Sequence, residues 1–235
     1  MIITVYVISD LHGYPLNSLI SLFNKASFSQ NDTCYVLGDV VDRGADGIKI
    51  LEWMMQQPNI ELVLGNHEAM MAACRFLFDT PNADSVKDLD GVKMQLYLNW
   101  AYNGGEITLN ALQSLDYLKR RRILEYILKA PLYKELTVGE KRFLLTHSGI
   151  ENFSPKKPIN EYTSHNFLWN RPSLEDTYYN TVITVFGHTP TFDLSSAHIG
   201  KILKTNTWIN IDCGASFGYK PALLRLDDFT AFYAD

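Results

Sequence analysis

The chain has 235 residues, 46% of them hydrophobic and 20% charged, with a formal net charge of -5. That length and apolar content can bury a full core, and they point to one α/β domain over residues 1–235. The acidic balance gives no general attraction for nucleic acid or an anionic membrane, so a phosphate-bearing ligand must be drawn in by local charge.

The N-terminus has no basic segment ahead of its apolar residues Ile2 to Ile8, so no signal peptide is expected. No apolar run approaches the ~18 residues that span a bilayer. Three cysteines, Cys34, Cys74 and Cys213, form no CxxC pair and read as reduced thiols of a cytoplasmic protein.

In chain order, a strand ending at Ile8 leads to a helix over Pro15 to Ala26. A strand ending at Leu37 leads to a helix over Asp46 to Gln57, and a strand ending at Leu64 to a helix from His67. This alternation predicts a largely parallel sheet with helices packed on it. Residues 82–130 read as a helical insert, with helices near Val92–Tyr102, Ile107–Leu115 and Leu118–Lys129 and a turn at Asn103-Gly104-Gly105. Strands return at Leu132–Val138, Phe143–Thr146, Val182–Phe186, Trp208–Ile211, Ala222–Leu226 and Phe229–Tyr233. Together they suggest a second, mainly antiparallel sheet. The Pro-containing stretch from Glu151 to Thr181 reads mostly as loop.

Five of the strands stop just short of a side chain able to hold a metal: Asp10, Asp39, Asn66, His147 and His188. The offset looks the same each time, and polar groups at strand carboxyl ends converge on one crevice in α/β sheets. Asp10 and Asp39 brought together would repel each other unless cations sit between them.

The most specific motif is Gly38-Asp39-Val40-Val41-Asp42-Arg43-Gly44, which sets two carboxylates and a guanidinium between glycines. A surface pair of Asp42 with Arg43 would gain too little to require that geometry. Asp10-Leu11-His12-Gly13 offers a carboxylate and an imidazole two residues apart. Gly65-Asn66-His67-Glu68 offers an amide and an imidazole at a helix start, where capping is the alternative role for Asn66. With His147 and His188, four of the six histidines fall in these loops, and His165 and His198 do not. Oxygen and nitrogen donors without thiolate suit borderline to hard divalent metals.

These motifs, together with Trp169-Asn170-Arg171, Gly187-His188-Thr189-Pro190-Thr191 and Ile211-Asp212-Cys213-Gly214-Ala215, resemble the phosphoprotein phosphatase family of calcineurin-like metallophosphoesterases, lambda-type bacterial and phage enzymes above all. The chain has Cys213 where those enzymes usually carry Thr, and Ser148-Gly149 where Gly-Gly or Ala-Gly is more familiar.

The resemblance implies a β-sandwich of two mixed sheets flanked by helices. It implies two divalent ions, manganese first, with iron, zinc or magnesium as alternatives. Asp10, His12 and Asp39 would hold one ion, and Asp39, Asn66, His147 and His188 the other. Two such ions could present a shared water as hydroxide for in-line attack on phosphorus. Arg43 and Arg171, with Asn66, would bind the phosphoryl group, and His67 would protonate the leaving oxygen. An imidazolium beside two cations needs a counterweight, which Asp42 supplies by accepting the other ring N–H.

The implied activity is hydrolysis of phosphoserine and phosphothreonine in protein or peptide partners, with tolerance for phosphotyrosine and aryl phosphates. Symmetrical dinucleoside tetraphosphate hydrolysis is the alternative, and a nuclease or a non-catalytic metal-binding scaffold ranks lower. No oligomeric state is legible. Lys119-Arg120-Arg121-Arg122 reads as a solvated face, and Tyr97, Trp100 and Tyr102 as packing residues of the insert.

Overall fold

The computed structural model describes residues 3–79 and 86–235. Ile2, and residues 82–85 at the start of the expected insert, lie outside the described residues. The first segment runs β1 (Val5–Ile8), α1 (Leu16–Lys25), β2 (Thr33–Val36), α2 (Gly47–Met54), β3 (Ile60–Leu62) and α3 (Asn66–Ala73). The insert follows as α4 (Gly91–Tyr102), α5 (Glu106–Gln113) and α6 (Tyr117–Leu128). The rest comprises β4 (Tyr133–Val138), β5 (Lys141–Thr146), α7 (Ser164–Leu168), β6 (Ile183–Phe186), α8 (Thr191–Leu194), β7 (Leu203–Lys204), β8 (Trp208–Asn210), β9 (Ala222–Arg225) and β10 (Ala231–Tyr233).

Two five-stranded sheets, ordered β10-β9-β1-β2-β3 and β4-β5-β6-β8-β7, face each other. Both are mixed, which gives the α/β sandwich of the expected fold class. In the first, β1, β2 and β3 pair in parallel while β9 and β10 add antiparallel. In the second, β5, β6 and β8 form a parallel centre edged by antiparallel β4 and β7. The expected second, mainly antiparallel sheet is therefore corrected twice. Its centre is parallel, and its last two strands cross back to the first sheet. Turn residues mark where a strand ends, but its partner is chosen by which apolar faces can be covered.

The period-2 alternation of buried strands makes three apolar layers. Val5 and Val7 of β1 join Leu37, Phe143, Leu145, Val185, Ile209 and Leu224 between the sheets. Tyr6 and Ile8 point the other way, onto Leu19, Leu22 and Phe23 of α1 and the helices beside it. Phe186 and Trp208 face Phe167 and Tyr178 of the long connection before β6. Each such side chain, fully buried, contributes about 1.5–3 kcal/mol.

In the insert, Asp90 and Asp116 cap α4 and α6 by accepting the Lys93 and Lys119 amides, both at 2.9 Å. Gly104, at φ +93°, takes the left-handed turn that separates α4 from α5. Of the three aromatic residues expected to pack the insert, Tyr102 is 92% exposed and Tyr97 is half-buried, its hydroxyl on Glu106. Trp100 is completely buried. The expected loop from Glu151 to Thr181 contains α7, begun by a capping box between Thr163 and Asn166. All three cysteines are buried and free. Among the described residues no helix is long and apolar enough to cross a membrane.

Candidate metal centre

The parallel pairing of β1 with β2 continues past the strand ends. Asp10, His12 and Gly13 donate their amides to the carbonyls of Gly38, Asp39 and Val40 at 3.1, 2.8 and 2.8 Å, so the first two loops are tied together. Gly187 donates likewise to the His147 carbonyl at 2.8 Å. The offset between strand end and polar residue is not constant, as the sequence had suggested. It runs from one residue for His147 after β5 to four for Asn66 after β3. Backbone conformation makes up the difference. Asp10, His12, Asp39, Asp42, Arg43 and His188 all hold positive φ, between 42° and 70°, and are six of the nine such non-glycine residues among those described. Left-handed backbone costs these residues about 1–3 kcal/mol each, and strain of this kind collects where side chains must converge.

Two groups of ligand atoms result: His12, Asp39 and His67, and Asp39, His147 and His188, with the atoms of each group within 4.8 Å of one another. Asp39 is shared. Its Oδ1 lies 3.4 Å from His147 Nε2, and its Oδ2 lies 3.7 Å from His12 Nε2 and 3.8 Å from His67 Nε2. Asn66 is the first residue of α3, with Gly65 as the cap. Its Oδ1 points to His147 Nε2 at 2.8 Å and His188 Nδ1 at 3.0 Å. Asp10 stands outside both groups, its two carboxyl oxygens accepting the His188 amide at 3.0 and 2.9 Å.

The donor set fits a cation. His147 Nδ1 lies 2.8 Å from the Leu37 carbonyl, so it carries the proton and Nε2 presents a lone pair. His12 is held in the same way, Nδ1 against the Val41 carbonyl at 3.1 Å. Lone pairs from His147, Asn66 and Asp39 therefore converge with the His188 ring beside them, its Nδ1 3.2 Å from His147 Nε2, a crowding of donor atoms that suits a divalent ion. Charges agree. Burial drives His147 down to about 3 and His188 to about 2, and holds His12 well below the usual imidazole range, so these rings are neutral and able to ligate. Burial, reinforced by neighbouring carboxylates, pushes Asp10 and Asp39 far up, the signature of anions crowded together.

A ring of polar contacts holds this cluster. Glu68, fully buried, accepts the amides of Asp39 and Val40 at 2.8 Å and that of Val41 at 3.3 Å. His67 donates Nδ1–H to Asp42 Oδ2 at 2.7 Å, the expected pair, and its Nε2 accepts from the Arg43 guanidinium at 3.2 Å. Arg43 also donates to Ser216 Oγ at 3.0 Å. Gly187 has no room for a side chain, because a β-carbon there would collide with Asp10 Oδ2 and Ser9 Oγ.

The groups open into a cavity of about 140 Å³ whose walls include His12, Asp39, Arg43, Asn66, His67, Arg171 and His188. Every residue expected at the site is thus at the cavity or one hydrogen bond from it. His147 and Asp10 lie just beneath the wall, and Asp42 touches it through His67. His165 and His198 pair elsewhere, with Glu151 and Ser195. Three residues given no part in the site from sequence belong here. They are Glu68, Trp100, whose indole bonds Asp42, and Asp212, a cavity-wall carboxyl that burial pushes up to about 7. Glu68 and Asp212 sat inside recognised motifs, but only contacts across the fold reveal what they touch.

The chain is similar to several known proteins. A symmetrical bis(5'-nucleosyl)-tetraphosphatase from Chromobacterium violaceum is 32% identical over 103 residues, covering 41% of this chain and 36% of that protein. Serine/threonine-protein phosphatase 7 of Arabidopsis thaliana is 36% identical over 81 residues, covering 32% of this chain and 19% of that one. The chain therefore matches well under half the length of either. The crystal structure of a candidate diadenosine tetraphosphatase superposes with a TM-score of 0.68 at 17% identity, covering 98% of this chain and 92% of that one, a likeness of fold. The calcineurin-like phosphoesterase profile matches residues 3–192, a span that begins before β1 and contains both ligand groups. With the two mixed sheets and the shared aspartate already in place, that match makes the chain a member of the calcineurin-like phosphoesterase family.

Proposed function

We propose that this chain is a divalent-metal-dependent hydrolase of phosphoric esters and anhydrides, and that it acts on dinucleoside tetraphosphates. The observation that carries the hydrolytic reading is Asp39, whose two carboxyl oxygens face two separate groups of ligand atoms. His12 and Asp39, with Asp10 behind them, would hold one ion, and Asp39, Asn66, His147 and His188 the other. Ions held there would supply a nucleophile at neutral pH and positive charge against the phosphoryl oxygens. Manganese is the first metal to test.

The chain's own residues do the rest. Arg43 and Arg171, at the cavity wall, would grip the remaining phosphoryl oxygens, for which a planar guanidinium offers paired hydrogen bonds. His67 Nε2 would carry the proton that the leaving oxygen takes, while Asp42 holds Nδ1–H and fixes the ring.

Two observations favour the dinucleotide. One is the resemblance to a symmetrical bis(5'-nucleosyl)-tetraphosphatase. The other is a second cavity of about 290 Å³ that shares His12 and Arg43 with the first and adds Tyr14, Ser216, Tyr219 and Lys220. A polyphosphate crossing Arg43 would bring a nucleoside against the two tyrosines, with Lys220 near its charge. A second reading, hydrolysis of phosphoserine and phosphothreonine in proteins, draws on the Asp42–His67 pair. An alkoxide leaves poorly without a proton, whereas a nucleotide phosphate leaves readily. The match to serine/threonine-protein phosphatase 7 points the same way.

The test is a metal-titrated comparison of kcat/KM for diadenosine tetraphosphate and a phosphoserine peptide. The dinucleotide is expected to be preferred, and a large preference for the peptide would overturn that choice. Tyr219→Ala should raise KM for the dinucleotide and leave para-nitrophenyl phosphate unaffected.

A further inference from the structure

α4 is twelve residues long and buries only one of them, Trp100. The helix carries Val92, Leu98 and Tyr102 exposed, so its seat on the protein is not a broad apolar face. The indole instead reaches into the candidate site, where Nε1–H donates to Asp42 Oδ2 at 2.9 Å. That oxygen is the same one that accepts His67 Nδ1–H at 2.7 Å. The other oxygen of Asp42 is buried and has no partner among the described residues. One carboxyl oxygen thus serves two rings at once, and the carboxylate cannot rotate without breaking both bonds.

The insert grips the backbone of this turn at two further points. Thr108 Oγ1, on α5, accepts the Asp42 amide at 2.9 Å, and the Gly104 carbonyl accepts the Arg43 amide at 3.1 Å. Asp42 and Arg43 both hold left-handed backbone, at φ 70° and 66°, so these contacts brace a strained turn. An indole N–H is a donor only, and a buried one needs an acceptor. Many carbonyls could meet that need. Using the oxygen already bound to His67 ties the indole to the imidazole through a single atom.

We propose that Trp100 is a positioning residue: its indole N–H fixes the Asp42 carboxylate, and through it the direction in which His67 Nε2 faces the cavity. The insert is then part of the reacting apparatus. This rests on the reading of His67 as proton donor to the leaving oxygen, and the experiment separates failure of one from failure of the other.

The cleanest variant places benzothienylalanine at position 100, exchanging the N–H for sulfur while keeping the ring shape. Trp100→Phe is the simpler companion. Both are assayed in the metal-loaded full chain on phenyl phosphate, whose leaving group needs a proton, and on para-nitrophenyl phosphate, whose leaving group does not. Loss of the N–H should lower kcat for phenyl phosphate roughly 10-fold, the size that one hydrogen bond to a charged group supports, and leave para-nitrophenyl phosphate within about twofold. In a His67→Asn background the same exchange should cost nothing further, because the pathway through His67 is already gone. The Nδ1–H resonance of His67, assigned by its disappearance in His67→Asn, should shift.

Equal losses on both substrates, losses that multiply with those of His67→Asn, or an unmoved resonance would each overturn the proposal. If His67→Asn itself affects both substrates alike, the proton-donor reading fails. The resonance then decides by itself whether Trp100 sets the imidazole: a shift upholds the positioning role, and none removes it.

Discussion

Glu68 lies 29 residues after Asp39, yet one of its carboxyl oxygens accepts the Asp39 amide at 2.8 Å while the other takes the amides of Val40 and Val41. The side chain at the start of α3 therefore replaces the hydrogen bonds that the turn after β2 cannot make for itself. Glu68→Gln would set an NH2 group against those donors. The substitution should destabilise the fold by about 1–3 kcal/mol, the cost of leaving a buried polar group unsatisfied, and should lower bound metal. Thermal melting with elemental analysis would check it, and an unchanged melting temperature would refute the bracing role.

Asp39 and Asp10 should respond differently. Asp39 belongs to both ligand groups, whereas Asp10 reaches the centre through the His188 amide. Asp39→Asn should therefore abolish retention of both ions after gel filtration. Asp10→Asn should keep the tighter-held ion and lower thermal stability, because metal binding and folding share free energy. Full metal content in Asp10→Asn would remove that residue from the set altogether.

Gly187 makes a prediction about space. Since a β-carbon there meets the Asp10 carboxylate and the Ser9 hydroxyl, Gly187→Ala should force the β6 loop away from β1. A loss of about 1–3 kcal/mol is the usual cost of overpacking, and His188, the next residue, should lose its place at the metal. Chemical denaturation and metal titration of the variant would read both effects, and a variant identical to wild type in both would contradict the close approach.

His147 gives the sign of a pH effect. Its ring stays neutral in the folded chain down to about 3, whereas an unfolded histidine takes up its proton near 6.5. As pH falls through that window the unfolded chain binds the proton first, so the ring's contribution to stability is present above about 6.5 and is lost toward about 3. In metal-stripped protein, the stability margin of wild type over His147→Gln, measured by urea denaturation, should shrink steadily from about pH 7 to about pH 4. A margin constant across that range would show that the ring is not buried as a neutral base.

Much of the site was legible because its chemistry is written in short local motifs. Asp10, His12, Asp39, Asn66, His67, His147 and His188 each follow an apolar run within a few residues, and such runs end where turn-forming residues begin. The roles of Glu68 and Trp100 could not be seen in this way. Each side chain finds its partner across a gap, 58 residues in the case of Trp100 and Asp42, that no local pattern spans. Trp100 in particular reads as an ordinary packing residue, since burial and a polar contact leave the same mark on a helix pattern.

The sequence by itself determined the alternation of strands and helices in the first segment, the ends of the longer elements to within a few residues, and the kinds of donor atom available to a metal, but not the short α7, α8 and β7. These depend on periodicity, turn chemistry and residue type, all of which act over a few neighbours. Only the tertiary structure decided that β9 and β10 complete the first sheet, that Trp100 is the one buried residue of α4 and bonds Asp42, and that Asp39 stands between two ligand groups. Those outcomes follow from covering apolar faces and satisfying buried polar atoms, conditions that bear on the whole molecule at once.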